Sequence, residues 1–328
     1  MSAVGIGNCG VVGDYPLTWL AIAFSGVGTA AYDPGAARMA SVVTAGRTRG
    51  MSIFSTGGNV GFTLGPLISA PLILSWGLRA TPLLAIPGLA MAGGVLPLLR
   101  SASRATQAGP AGSRPTSAGR DQWKGFARVT FAVITRSAAF FGIAAFAPLY
   151  WRGDLGASTA LSEIALTCFL GSGVVGALLG GAIADGQGRW RTVRAGNVLL
   201  VPALLLLVLA SPVMGPVFSL PLLVLVGVSL QMPHSVLVVL GQDYLPNRTG
   251  TAAGVTLGLE MTAGGLVAPG LGVFADHFGP RFVLVMMVAF PVAALAVALR
   301  TRDPRPGIPV DMPAARPAAA LATYTSPA

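Results

Sequence analysis

Few side chains in this sequence are equipped for chemistry, and the most telling ones sit inside apolar runs. Among 328 residues, 21 are Lys or Arg, 11 are Asp or Glu and 2 are His. Glu260 lies ten residues after Gly250, about 15 Å into a helix that rises about 1.5 Å per residue. Arg136 lies eight residues after Arg128, about 12 Å from the same starting side. An ionised group in the middle of a bilayer costs about 2.5–3.5 kcal/mol on insertion scales, so each needs a partner or a purpose. At similar depth these two can meet. In one reading they form a cavity pair, in which Arg136 holds an anion or keeps Glu260 ionised until a proton arrives. In the other they are a structural ion pair that packs two helices.

Asp33 precedes Pro34, which removes a helical hydrogen bond and leaves a carbonyl free beside the carboxylate. It reads equally as a proton site and as a helix-end carboxylate paired with Arg38 or solvent. His234 shares a helical face with Gln231, three residues earlier. Its titration range suits proton coupling, and a plain hydrogen-bonding role fits as well. Glu163, five residues past Ser158, is shallow on the opposite side and reads as a gate or interface residue. The sequence has no CxxC, no HExxH and no nucleophile–base pair, and Cys9 and Cys168 are far apart in apolar surroundings. No metal, no cofactor and no enzymatic activity are expected.

The elements that position these residues follow from composition. Hydrophobic residues make up 53% and charged residues 10%, against roughly 25% charge in a soluble domain. With a mean hydropathy of +0.73, most of the surface must face lipid. Gly 44 and Pro 25 fall within apolar runs, where they fit close-packed, kinked membrane helices. A span needs about 20 apolar residues. Nine runs qualify: 17–44 (interrupted at Asp33-Pro34), 51–76, 81–99, 129–150, 158–184, 193–210, 217–241, 251–275 and 282–299. Residues 1–13 are too short for a tenth and make a poor signal peptide; they read as the second half of a helix whose beginning is missing.

The net charge of +10 could suggest nucleic acid, but the arginines lie in short loops between apolar runs. Alternate loops hold Arg38, Arg47 and Arg49; Arg100, Arg104, Arg114, Arg120, Lys124 and Arg128; Arg189, Arg191 and Arg194; Arg248; and the tail arginines. The opposite loops hold only Arg79, Arg152 and Arg281. By the positive-inside rule the rich side is cytoplasmic, with the linker and C-terminus on it.

The chain also echoes itself at a separation near two hundred residues. Tyr32-Asp33-Pro34 precedes Arg49-Gly50 and a glycine-rich run; Met232-Pro233-His234 precedes Arg248-Thr249-Gly250 and another. Two halves joined by a basic loop are the parallel repeats of secondary transporters. Gly57, Gly61 and Gly65 recur every fourth residue, which predicts a stripe where another backbone approaches closely; Gly176 with Gly180, and Gly264 with Gly265, predict the same. Asp185 ends a predicted helix, where an acid is unfavourable, and is expected to pair with a cation such as Arg189 in a latch.

Four stretches carry a resemblance to the major facilitator superfamily and, within it, to the fosmidomycin-resistance group of drug efflux proteins. They are Gly26–Pro34 with Ala37-Arg38; Gly57-Gly58-Asn59-Val60-Gly61 running into Gly65-Pro66-Leu67; Gly181–Asp185 with Gly188-Arg189; and Gln242–Gly250. The second is similar to the superfamily's antiporter motif, with Ser69-Ala70 where a glycine pair is usual. The resemblance implies an all-α, two-bundle helical transporter lacking the first two helices and part of the third. The implied divisions are an incomplete N-terminal bundle at 1–100, a cytoplasmic linker at 101–124, a six-helix bundle at 125–300 and a disordered tail at 301–328. A basic residue at Arg136 fits the group, whereas its His-Pro is Asp33-Pro34 here. Arg136, His234, Gln231 and Glu260 would face the cavity from the second half, Asp33 and Asn59 from the first.

The implied function is proton-coupled efflux of a small drug-like or anionic molecule by alternating access. The expected partners are lipid, a small-molecule substrate and protons, with no nucleic acid; the expected protein is a monomer in the bacterial inner membrane. The alternative is a truncated, non-transporting remnant or a misassigned start of such a transporter.

Overall fold

Apolar runs in lipid must close their backbone hydrogen bonds internally. Here they do so as helices. The computed structural model describes residues 1–44, 47–94 and 120–301, except for the side chains of residues 38, 39, 41–43, 66, 70 and 74, and no strand occurs among them. The first elements are α1 (Ser2–Asn8), α2 (Tyr15–Val43), α3 (Thr48–Trp76), a 3-10 segment (Leu78–Leu84) and α4 (85–94). The later ones are α5 (Trp123–Gly153), α6 (Thr159–Gln187), α7 (Arg189–Phe218), α8 (Leu220–Gln231) and α9 (His234–Tyr244). A 3-10 turn (Pro246–Arg248) then leads to α10 (Thr249–Phe278), α11 (Pro280–Met286) and α12 (Ala289–Leu299).

Six described segments are long and apolar enough to cross a membrane: Trp123–Gly153, Thr159–Gln187, Arg189–Phe218, Leu220–Tyr244, Pro246–Phe278 and Pro280–Leu299. They coincide with the six runs read after the linker, each with helical extensions beyond the apolar stretch. α2 and α3 add 29 residues each, about 43 Å of helix apiece. Expected span 81–99 begins as the 3-10 segment and continues as α4, and its last five residues lie outside the described ones. Most of the expected linker and all but the first residue of the expected tail also lie outside them. The described end of the linker is shorter than expected, because α5 already starts at Trp123.

Prolines and glycines shape these helices. α2 runs unbroken through Pro34, contrary to the interruption expected there; the ring removes one hydrogen bond but sits against α10, where a Cβ on Gly254 would be 3.8 Å from Pro34 Cγ. By contrast, the run 217–241 is two helices, parted at Met232-Pro233 between α8 and α9. α7 kinks at Gly215, whose φ of 80° sits between Pro212 and Pro216, and the indole of Trp151 donates to the Pro216 carbonyl at 3.0 Å.

Two apolar clusters hold α5–α12 together. One packs Tyr150, Trp151, Phe169, Leu204, Leu223 and Leu284, all essentially inaccessible. The other packs Phe126, Trp190, Val193, Leu240 and Tyr244 near the arginine-rich end, where the Trp190 indole donates to the Tyr244 hydroxyl at 3.0 Å. Large apolar side chains such as Leu209, Val213 and Leu266 point outward, as expected where the solvent is lipid. α6 is the helix others approach most closely. A Cβ on Gly176 would collide with the Val228 carbonyl, and one on Gly180 with that of Met232. Gly264 similarly makes room for the Phe141 ring.

The stripe expected on α3 is different. Gly57, Gly61 and Gly65 are exposed, and among the described residues nothing lies within 4 Å of a Cβ at any of them. The face that packs on α6 carries Thr48, Ser52, Ser55 and Asn59, all buried. Gly57 lies two residues from both Ser55 and Asn59, which is about 200° around a helix and therefore on the opposite side. Pro66 belongs to the described helix, but its side chain lies outside the described residues.

Candidate functional site

Five of the six residues expected to face the cavity come together in a buried cluster. Arg136 is on α5 and Glu260 on α10, each close to the middle of its helix, and they are 5% and 9% exposed. Arg136 Nη2 donates to Glu260 Oε1 in a charge-assisted bond. Its Nη1 donates to Gln231 Oε1 at 2.6 Å. Gln231 Nε2 in turn donates to Asn59 Oδ1 at 3.1 Å, and Asn59 Nδ2 donates to the Gly173 carbonyl at 3.4 Å. Gln231 ends α8 and His234 opens α9, so they lie on two helices rather than on one shared face. The turn at Met232-Pro233 still aims both side chains inward. His234 Nδ1 stands 3.4 Å from Glu260 Oε2, close enough for an ion pair when protonated but not aligned as a hydrogen bond.

The donor and acceptor roles in this chain are fixed by chemistry. A guanidinium only donates. Gln231 must therefore present its oxygen to Arg136 and its NH2 to Asn59, which must present its oxygen to Gln231 and its NH2 to Gly173. Every amide is used once in each direction. Such a run crosses from α10 and α5, through the α8–α9 break, to α3 and α6. Asp33, on α2 and half-buried, stands outside this run of bonds but within electrostatic reach of Glu260. The side chain of Arg38, its alternative partner, lies outside the described residues. Glu163 is exposed on α6, away from the cluster.

A second polar junction lies at the arginine-rich end. Asp185, in the last turn of α6, accepts from the backbone N–H of Thr48 at 2.9 Å and of Arg49 at 3.0 Å. These are the first amides of α3, where unsatisfied donors and the helix dipole favour an anion. A helix N-terminus thus holds Asp185. Arg189 forms an ion pair with Asp243 and donates from Nε to the Thr48 hydroxyl at 3.2 Å. Asp185 and Arg189 therefore meet at Thr48, each holding α3 by a different group. Nearby, Asp121 accepts from the Asn247 amide at 3.2 Å and lies 3.8 Å from Arg248, whose guanidinium stacks over Trp123.

The profile of the Major Facilitator Superfamily matches residues 1–269. The chain belongs to the major facilitator superfamily. The fosmidomycin resistance protein of Escherichia coli (strain K12) is 27% identical over 295 residues, covering 87% of this chain and 70% of that protein. An uncharacterized MFS-type transporter of Bacillus subtilis (strain 168), YfnC, is 30% identical over 299 residues, covering 85% and 69%. A crystal structure of the superfamily transporter FucP in the outward conformation shares the fold, with a TM-score of 0.63 at 14% identity, covering 92% of this chain and 81% of that one. The protein is thus a multi-pass, all-α membrane protein of a transporter superfamily rather than of an enzyme family.

Three contributors were not singled out from the sequence. Ser137 donates from Oγ to the Glu260 backbone carbonyl, and its place beside Arg136 was the only signal. Gly173 supplies the terminal carbonyl, with its missing Cβ leaving 3.0 Å to Gln231 Cγ. Asp243 was legible only as part of the Gln242–Gly250 stretch.

Proposed function

We propose that this chain is a proton-coupled exporter of a small drug-like or anionic molecule, working by alternating access as a monomer in the bacterial inner membrane. The single observation that carries this reading is the buried Arg136–Glu260 pair with His234 beside it. An ion pair is an expensive way to join two helices in lipid, but it suits a site that must exchange one charge for another. When a proton neutralises Glu260, Arg136 loses its carboxylate and is left to hold an anionic group of the substrate. When the proton leaves, Glu260 returns to Arg136 and displaces the substrate. His234 is placed to pass the proton or to balance the charge.

The resistance protein among the relatives supports a drug-like substrate. The two groups of helices, residues 1–100 and 125–300, would be the bundles that rock against each other, with the linker and C-terminus in the cytoplasm. The Asp185–α3 contact would then hold the cytoplasmic side shut, and Asp33 would line the cavity from the first bundle.

The test is pH-gradient-driven uptake of fosmidomycin and of a panel of anionic drugs into inverted vesicles. Glu260→Gln at unchanged abundance should abolish proton-linked flux. Equal flux by that variant would remove Glu260 from the mechanism.

A further inference from the structure

We propose that Gln231 is the residue through which the charge state of Glu260 is passed to α3, a positioning role distinct from binding proton or substrate. The inference rests on the reading of Glu260 as the proton site. Three observations carry it. First, Gln231 is the sole hydrogen-bonded bridge, among the described residues, between the ion pair and the earlier helices: Arg136 at 2.6 Å on one side and Asn59 at 3.1 Å on the other. Second, the relay has one polarity. Because the guanidinium can only donate, turning the Gln231 amide over would set NH2 against NH2 and oxygen against oxygen, so the orientation of Asn59 depends on Arg136 staying where it is. Third, Gln231 sits at a place that can move. It is the last residue of α8 before the Met232-Pro233 break, it is 5% exposed, and its stem lies over Gly173, where a Cβ would be 3.0 Å from Cγ.

The consequence is mechanical. While Glu260 is charged, it holds Arg136, and Arg136 holds the Gln231 oxygen. Gln231 then presents its NH2 to Asn59, and α3 stays fixed against α6. Protonation of Glu260 weakens its hold on Arg136 from an ion pair to a hydrogen bond. The guanidinium is freed to turn, the Gln231–Asn59 bond loses its alignment, and the α3–α6 contact is released. No atom of Gln231 exchanges a proton.

The experiment uses pH itself as the probe, on the full chain in lipid nanodiscs with Cys9 and Cys168 replaced. Spin labels at Ile53 and Gln187, both exposed, report the α3–α6 spacing, and the infrared carboxyl band lost in Glu260→Gln reports protonation of Glu260. In the parent, acidification should bring up the carboxyl band and lengthen the label distance over the same pH interval. In Gln231→Leu the band should still titrate while the distance no longer responds, and proton-driven flux should fall about tenfold, the scale of one coupling hydrogen bond. Asn59→Leu should act like Gln231→Leu, and decides the matter if that variant does not fold. A distance response surviving in both leucine variants would overturn the relay. A response surviving in Glu260→Gln would overturn the proton-site reading beneath it, and so separates the two failures.

Discussion

Breaking the Arg136–Glu260 pair one partner at a time should cost far more than removing it whole. Arg136 is 5% exposed and donates to two partners, Gln231 and Glu260. Arg136→Met leaves a carboxylate 9% exposed with only His234 nearby, and Glu260→Met leaves a guanidinium with only an amide. Removing one member of a buried pair costs about 3–5 kcal/mol in soluble proteins. Interhelical hydrogen bonds between neutral groups in membranes are worth only about 0.6–2 kcal/mol, because the inserted but unpacked helices also find partners. A charge left in the bundle finds none so easily, so about 3 kcal/mol is expected for each single variant. In the double variant both methionines fill apolar space, and the total should lie within about 1 kcal/mol of the parent. The coupling energy of the cycle is therefore about 6 kcal/mol. Unfolding in mixed micelles, followed by the fluorescence of the five tryptophans, measures all four proteins. Single losses that simply add in the double variant would show that the two side chains do not share one buried site.

Asp185→Ala removes the acceptor from the first amides of α3 and should cost about 1–2 kcal/mol, the range of a lost helix cap with its dipole term. Hydrogen exchange should quicken at Thr48 and Arg49 and stay unchanged in α10; equal exchange would refute the cap. Gly180→Ala drives a methyl into the Met232 carbonyl, a backbone atom that cannot step aside, so yield and thermal stability should drop sharply. Gly61→Ala, with open space at its Cβ, should stay within about 0.5 kcal/mol of the parent in the same melting series.

The buried cluster was legible because charge in an apolar run is rare and depth can be counted from the helix start. Glu260 and Arg136 both count inward from the same face, and that arithmetic alone brings them level. What the sequence withheld was azimuth and distant partnership. A four-residue glycine period on α3 announces a smooth stripe but not which way it faces. It turned out to face away from α6, with Ser52, Ser55 and Asn59 forming the contact. The α3 N-terminus that holds Asp185 lies 137 residues earlier and has no local signature next to an acid. The turn at Met232-Pro233 was readable from the proline, and missing it merged α8 and α9 into one straight span. Pro34 misled in the other direction: a proline in a membrane helix leaves a carbonyl free but need not end the helix when a neighbouring glycine receives the ring.

α3 is where these corrections converge. Its first amides are held by Asp185 and its Asn59 by Gln231, and the two holds are eleven residues apart, about 16 Å along one helix. A helix of that length is stiff compared with the hydrogen bonds at its two grips. α3 cannot leave Asp185 by rotation about Asn59 without swinging its N-terminus away from α6, and it cannot slide along α6 without breaking both grips at once. The outer grip depends on the Asp185 carboxylate, while the inner one depends on where Arg136 points. If Glu260 takes the proton, as proposed, the inner grip is the one that responds, so separation of α3 from α6 is expected to begin at mid-helix and reach the arginine-rich end second. The order is measurable: after a pH jump, labels near Asn59 should move before labels near Thr48, and the reverse order would place the trigger at the Asp185 junction instead.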